Sequence, residues 1–327
     1  MRSPSPLTPM IAKLPLRFRT LPTPMAGLAL GVSSLGWCME NALPLNGWGQ
    51  LIGAVIATGL LSLLIIRFSF HFDTLLTDLK HPVVGSIVPT FAMCLMVISK
   101  AIGNFFPVAG SFIWLCAVIV HIIAFVVFAW HRLHDRRLDA MVPSWFIPPV
   151  GMIVADVSFP GGESLFPLAL FLLVVGMVSY AILLPLMLYR LFFRPALETG
   201  AQPTLAIMAA PASLCLAGYL TVIKEPNLLI CAVLLGIALL MTLTIYFAFW
   251  HLLRLQFSPG YAAFTFPMAI GATALYKSAN AISHFSAAAD YVSWLRWLAH
   301  GELLIASVVI FYVFSLYMKN FKYFLKR

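Results

Sequence analysis

Charge is what this chain has least of. Lysine, arginine, aspartate and glutamate make up 9% of its 327 residues, whereas 62% are apolar. A soluble domain carries roughly 25% charge and needs polar residues to cover its surface. The composition therefore excludes a soluble enzyme and a disordered chain. Catalytic signatures are missing as well: there is no GxSxG, HExxH or Walker sequence. Cysteine is sparse. Cys38, Cys94, Cys116, Cys215 and Cys231 all lie inside apolar runs and none forms a CxxC pair. That excludes a disulfide-rich module and leaves no expected metal or cofactor site. The first twenty residues are rich in proline and arginine but lack a continuous apolar stretch, so they do not read as a signal peptide.

What is present is a succession of long apolar runs. They predict an all-α integral membrane protein with ten transmembrane helices, at 22–40, 47–69, 82–103, 108–131, 143–159, 165–189, 202–222, 226–252, 259–282 and 293–317. A short arm, 1–21, precedes this 22–317 domain, and a basic tail, 318–327, follows it. The net charge of +9 invites a nucleic-acid reading. The basic residues, however, sit at the ends of the apolar runs rather than on one amphipathic element, so lipid is the expected partner and nucleic acid is not. With the termini and the loops after even-numbered helices on one side, that side holds sixteen of the twenty basic residues. The other side holds only Lys100, Lys224, Lys277 and Arg296. This asymmetry predicts cytoplasmic termini, in a bacterial-type inner membrane.

Proline repeats with a period. Pro22, Pro82, Pro143, Pro203 and Pro259 open the odd-numbered helices at steps of 60, 61, 60 and 56 residues. Pro24, Pro89, Pro149, Pro211 and Pro267 follow them. Such a period predicts five helical hairpins, each with a kinked first helix. An interior proline frees a carbonyl, which lipid cannot satisfy. The kinked helices are therefore expected inside, around a central pore, with the straighter ones against lipid.

The middle thirds of the expected inner helices carry no Lys, Arg, Asp or Glu. They carry hydroxyls instead: Thr23, Ser33, Ser34, Ser86, Thr90, Ser144, Ser213, Thr265 and Thr273. A neutral lining with hydroxyls, freed backbone and cytoplasmic basic residues suits an anion better than a cation, whose pores tend to show acidic rings. Asp156 is read as interfacial, and His300 with Glu302 as a helix–helix or interfacial pair. His121, His251 and His284 read as satisfied or interfacial. The cluster His131 to Asp135 reads as a solvated helix cap, and Lys277, Asn280 and His284 as the nearest thing to a cationic or donor group for a dicarboxylate.

Five segments carry a resemblance: Pro22-Thr23 with Gly27 and Gly31; His81-Pro82-Val83; Pro143-Ser144-Trp145-Phe146-Ile147-Pro148; Ala210-Pro211-Ala212; and Phe264-Thr265-Phe266-Pro267. In this order and spacing they resemble the tellurite-resistance/dicarboxylate transporter (TDT) family, which includes bacterial TehA and the plant slow-type anion channels. The resemblance spans roughly residues 20–320 and implies a homotrimer whose protomers each hold a pore plugged by a phenylalanine. Alignment of the Phe-x-Phe segment puts the plug at Phe266. At 100° per residue, positions 264 and 266 point to opposite sides, so only one can serve. Gly27, Pro89, Pro148, Gly151, Pro211, Ser213, Phe264 and Pro267 are the expected pore-lining residues. Two functions follow from the resemblance: a gated channel for small inorganic or organic anions, or a secondary carrier for C4-dicarboxylate, sulfite or tellurite-related oxyanions. A membrane-embedded enzyme or a structural scaffold is the third possibility, and the missing catalytic clusters weigh against the enzyme.

Overall fold

The computed structural model describes residues 17–135, 137–283 and 289–325. His284, named above, lies outside them, as do Arg2, Lys13, Arg136, Lys326 and Arg327 of the sixteen basic residues counted above. The described residues are helical, with no strand among them. In chain order the helices are α1 (Met25–Met39), α2 (Trp48–Phe70), α3 (Phe72–Lys80), α4 (Val84–Ile87), α5 (Thr90–Gly103), α6 (Pro107–Asp135), α7 (Ile147–Val150), α8 (Val154–Val157), α9 (Phe166–Phe193), α10 (Ala210–Val222), α11 (Leu228–Leu252), α12 (Thr265–Ile282) and α13 (Ala289–Phe324).

Among the described residues, seven stretches are long and apolar enough to cross a membrane: α2, Val84–Gly103, α6, α9, Gln202–Val222, α11 and Asp290–Phe324. They fall into two groups by burial. Val84–Gly103 is 72% buried and Gln202–Val222 78%, whereas the other five are 22–39% buried. The less buried group presents large apolar side chains outward, among them Phe192, Phe247, Trp250 and Phe311. Water would not tolerate so wide an apolar exterior; a bilayer would. The shorter α1 belongs with the buried group, packing against α2, α5 and α12.

Proline explains the local geometry of the buried group. The stretches Pro143–Phe146, Gln202–Ala209 and Pro259–Phe264 are 3-10 turns that run into α-helix. Each has a proline in its first turn, where the missing N–H costs nothing. The expected short fifth span, 143–159, alternates between 3-10 and α turns over residues 143–157. The carbonyls loosened by these breaks find donors on neighbouring elements. His121 Nε2 on α6 lies 2.9 Å from the Pro148 carbonyl; since a carbonyl only accepts, Nε2 bears the proton. Trp114 Nε1 donates to Ala155 O at 3.0 Å, Trp145 Nε1 to Pro82 O at 3.1 Å, and Thr265 Oγ1 to Gly27 O at 3.1 Å.

Small residues set the closest approach. A Cβ on Gly36 would run into the Gly49 carbonyl and sit 3.2 Å from the Gly53 Cα, so α1 and α2 touch backbone to backbone. Glu40 holds the same corner: its carboxylate accepts from the amides of Gly47, Gly49 and Gln50 at 3.0, 2.8 and 3.3 Å. These amides lie at the N-terminus of α2, where a negative charge is favoured. Gly36→Val is expected to force the two helices apart and cost about 1–3 kcal/mol or more, read as a lowered melting temperature in detergent. An unchanged melting temperature would show that the contact yields freely.

Three sequence expectations need correction. α6, α9 and α13 extend beyond the expected boundaries, α13 from 289 to 324 instead of 293 to 317. Residues 72–80, expected as loop, form the amphipathic helix α3. Asp156, expected at an interface, is fully buried, and neither carboxylate oxygen has a hydrogen-bond partner among the described residues. The missing side chain of Gly218 explains the burial: a Cβ there would lie 3.3 Å from that of Asp156, so α10 closes over it. On α13, His300 Nδ1 and the Tyr276 hydroxyl make a helix–helix hydrogen bond of 2.7 Å. Glu302 lies against Gly271 of α12, and its Oε2 has no partner among the described residues.

Candidate functional site

Two cavities lie between the buried elements. The larger holds about 60 Å³ and is bounded by residues of α1, α5, the 143–153 stretch, α10 and the start of α12. The smaller holds about 20 Å³, bounded by Ser34, Trp37, Val97, Val154, Val157, Leu214, Phe266, Ile270 and Thr273. A water-sized guest needs roughly 10–15 Å³, so the smaller cavity has room for about one. The walls advance along each helix from the first cavity to the second: Gly27 and Leu30 to Ser34 and Trp37 on α1, Met93 to Val97 on α5, and Phe266 to Ile270 and Thr273 on α12. The cavities thus lie one beyond the other along the same helices. Two side chains belong to both walls, Phe266 and Leu214.

Of the residues singled out from the sequence, Gly27, Gly151, Pro211, Phe266 and Pro267 line the larger cavity. Pro89, Pro148, Ser213 and Phe264 do not. Pro89 and Pro148 are buried in the helix breaks themselves, the latter engaged through its carbonyl by His121. Ser213 turns its hydroxyl back onto the Ala209 carbonyl at 3.2 Å. Phe264 points away, with its ring centroid 4.7 Å from that of Tyr261 and 5.4 Å from that of Phe249. The 200° between positions 264 and 266 separates a packed ring from one that borders empty space.

The hydroxyl lining expected from the sequence is thinner than the residue types suggest. In the larger cavity only Thr90 contributes one, and it donates to Ile87 O at 2.7 Å. Ser33, Ser86 and Thr265 likewise donate to carbonyls three residues back. Helical serines and threonines commonly bond backward in this way, and Ser86 and Thr265 also reach Ser144 Oγ and the Gly27 carbonyl. Ser34 is the exception. Its side chain is buried, it faces the smaller cavity, and its Oγ has no partner among the described residues. Sequence reasoning did not find Leu214, since nothing distinguishes one leucine in a helix that also holds Leu216 and Leu220. No group of three or more metal-ligating side chains occurs among the described residues.

The chain is similar to two uncharacterized transporters of Methanocaldococcus jannaschii. It is 26% identical to one over 62% of its own length and 66% of the relative's, and 25% identical to the other over 64% and 68%. These matches span about two thirds of the relatives' length. It is also 23% identical to a tellurite resistance protein TehA homolog of Haemophilus influenzae, over 78% of this chain and 81% of that one. Residues 23–318 match the SLAC1 family, described as voltage-dependent anion channel. That range takes in α1, both cavities and most of α13. Seven apolar helices among the described residues and both cavities therefore sit within a single recognised domain: the chain is an integral membrane protein of the SLAC1 family.

Proposed function

We propose that this chain is a gated anion channel in which Phe266 is the plug. What supports the reading is that the Phe266 ring, with Leu214, borders both cavities, and of the two it is the bulkier group standing between them. An apolar constriction of this kind gates by excluding water and hydrated ions. The neutral walls fit a small anion, as does the absence of acidic residues from both linings. Under this reading the chain crosses the membrane ten times as five hairpins, with α1 and the segments beginning at Pro82, Pro143, Pro203 and Pro259 innermost. The termini are cytoplasmic and the chain assembles as a homotrimer.

The smaller cavity also bears on channel against carrier. A C4-dicarboxylate carries eight heavy atoms and would not fit a space for about one water-sized guest without rearrangement of the walls. Efflux of chloride and nitrate from liposomes tests the proposal. Phe266→Ala is expected to leak both, wild type much less, and neither to show saturable counter-exchange of labelled malate. Counter-exchange by a wild type tight to chloride would replace the channel with a carrier.

A further inference from the structure

Helices α5 and α12 continue beyond the smaller cavity toward the face opposite the termini. On α12, Phe266, Ile270, Thr273 and Lys277 fall within about 60° of arc, one stripe of the helix. The first three line the smaller cavity, and Lys277 follows one turn further on. On α5 the same geometry aligns Met93 and Val97, which line the two cavities in turn, with Lys100. Each lysine thus follows the cavity-lining stripe of its own helix by about one turn. Lys100 spends one N–H on the Phe159 carbonyl at 3.1 Å, leaving two donors. Lys277 has neither a hydrogen bond nor an ion pair to any described residue. The ion pairs among the described residues all involve other side chains. Two lysines beyond the end of the smaller cavity, neither ion-paired among the described residues, favour a counter-anion there.

A second observation points to the same place. The Ser34 hydroxyl, buried in the wall of the smaller cavity, has no partner among the described residues. A buried donor without an acceptor is costly, and an anion in the cavity would satisfy it.

We propose that Ser34, Lys100 and Lys277 form an anion-docking site on the far side of Phe266. The lysines concentrate a small monovalent anion at the mouth, and Ser34 receives it beside the gate once part of its hydration is shed. The cavity's size restricts the inner position to halide-sized ions, while the mouth takes larger ones. This inference rests on the reading of the cavities as an anion path and deepens it.

Two measurements separate its failure from failure of that reading. The first is electrical, in the Phe266→Ala background. Adding Lys277→Gln is expected to lower chloride conductance severalfold at 10–20 mM chloride and little at 1 M, because salt screens the site. Lys277→Arg should restore it. Ser34→Ala should lower the chloride-to-nitrate conductance ratio while leaving the low-salt effect intact. The second reads local potential and needs no conduction. A cysteine at the exposed Asn280, one turn beyond Lys277, is labelled with the negative sulfonatoethyl and the positive trimethylammonioethyl methanethiosulfonates. The ratio of negative to positive labelling rates is expected to fall severalfold on Lys277→Gln. A ratio and a conductance that both ignore Lys277→Gln would overturn the proposal. A ratio that falls in a protein carrying no anion current would keep the docking site while removing the channel.

Discussion

Phe266→Ala is expected to raise chloride flux by about tenfold or more, as a hydrophobic plug gives way to a continuous lumen, and to cost little stability. Both halves follow from where the ring sits. It borders the 60 Å³ cavity on one side and the 20 Å³ cavity on the other, so it makes fewer contacts than a core phenylalanine. Truncating a packed phenylalanine costs about 3–5 kcal/mol, mostly through lost contacts, and a ring facing empty space has fewer to lose. Phe264→Ala is the matched control. That ring is fully buried against Tyr261 and Phe249, so its removal should cost the full amount and open nothing. Liposome efflux and thermal unfolding on the same two variants therefore give opposite rankings. A Phe266→Ala protein as tight as wild type would sink the plug. A Phe264→Ala protein that leaks while folding normally would move it to the other ring.

The pairing of these two phenylalanines shows what was legible in the sequence. The helical period separates positions 264 and 266 without a structure, because side-chain direction depends only on rise and rotation. Pro143, Pro203 and Pro259 likewise mark segments that open in 3-10 turns, since a missing N–H is a property of the residue itself. What the sequence hides is where each side chain spends its hydrogen bond. Ser213 and Ser34 look alike in a string of letters. One bonds to its own helix and the other faces a void, and only packing decides which. Asp156 was misread for a related reason: its depth depends on Gly218, sixty-two residues away, permitting α10 to close over it. Leu214 carries no signal at all, because its role is geometric and its chemistry is shared by the surrounding leucines. Proline, glycine and periodicity are read early because they act through the backbone; the lining of a cavity is read late because it is a sum over five elements distant in sequence.

Arg67→Ala should be the most damaging single change at the opposite end of the path. Arg67 is buried on α2, and its guanidinium donates to Thr23 Oγ1 at 2.6 Å and pairs with Asp78 Oδ2 at 2.9 Å. Thr23 in turn donates to the same carboxylate oxygen at 2.5 Å. Thr23 stands just before α1 and Asp78 lies on α3, so this one cluster ties the start of the innermost helix to two neighbours. Removing the arginine leaves a mostly covered carboxylate without its cation, which typically costs about 3–5 kcal/mol. The nearby Arg19–Asp73 pair has a similar distance, 2.8 Å, but both side chains are more than half exposed, and such pairs contribute about 0–1 kcal/mol. Arg19→Ala should therefore melt close to wild type in detergent while Arg67→Ala melts far lower. The double change Arg67→Met with Asp78→Leu should recover much of the loss, since it removes the stranded charge together with its partner. Equal melting of Arg67→Ala and Arg19→Ala would mean that the buried cluster is solvated in the folded protein. Failure of the double variant to recover would instead assign the loss to Thr23, whose hydroxyl would then be the group that fixes the start of α1 beside Pro24 and Gly27 in the cavity wall.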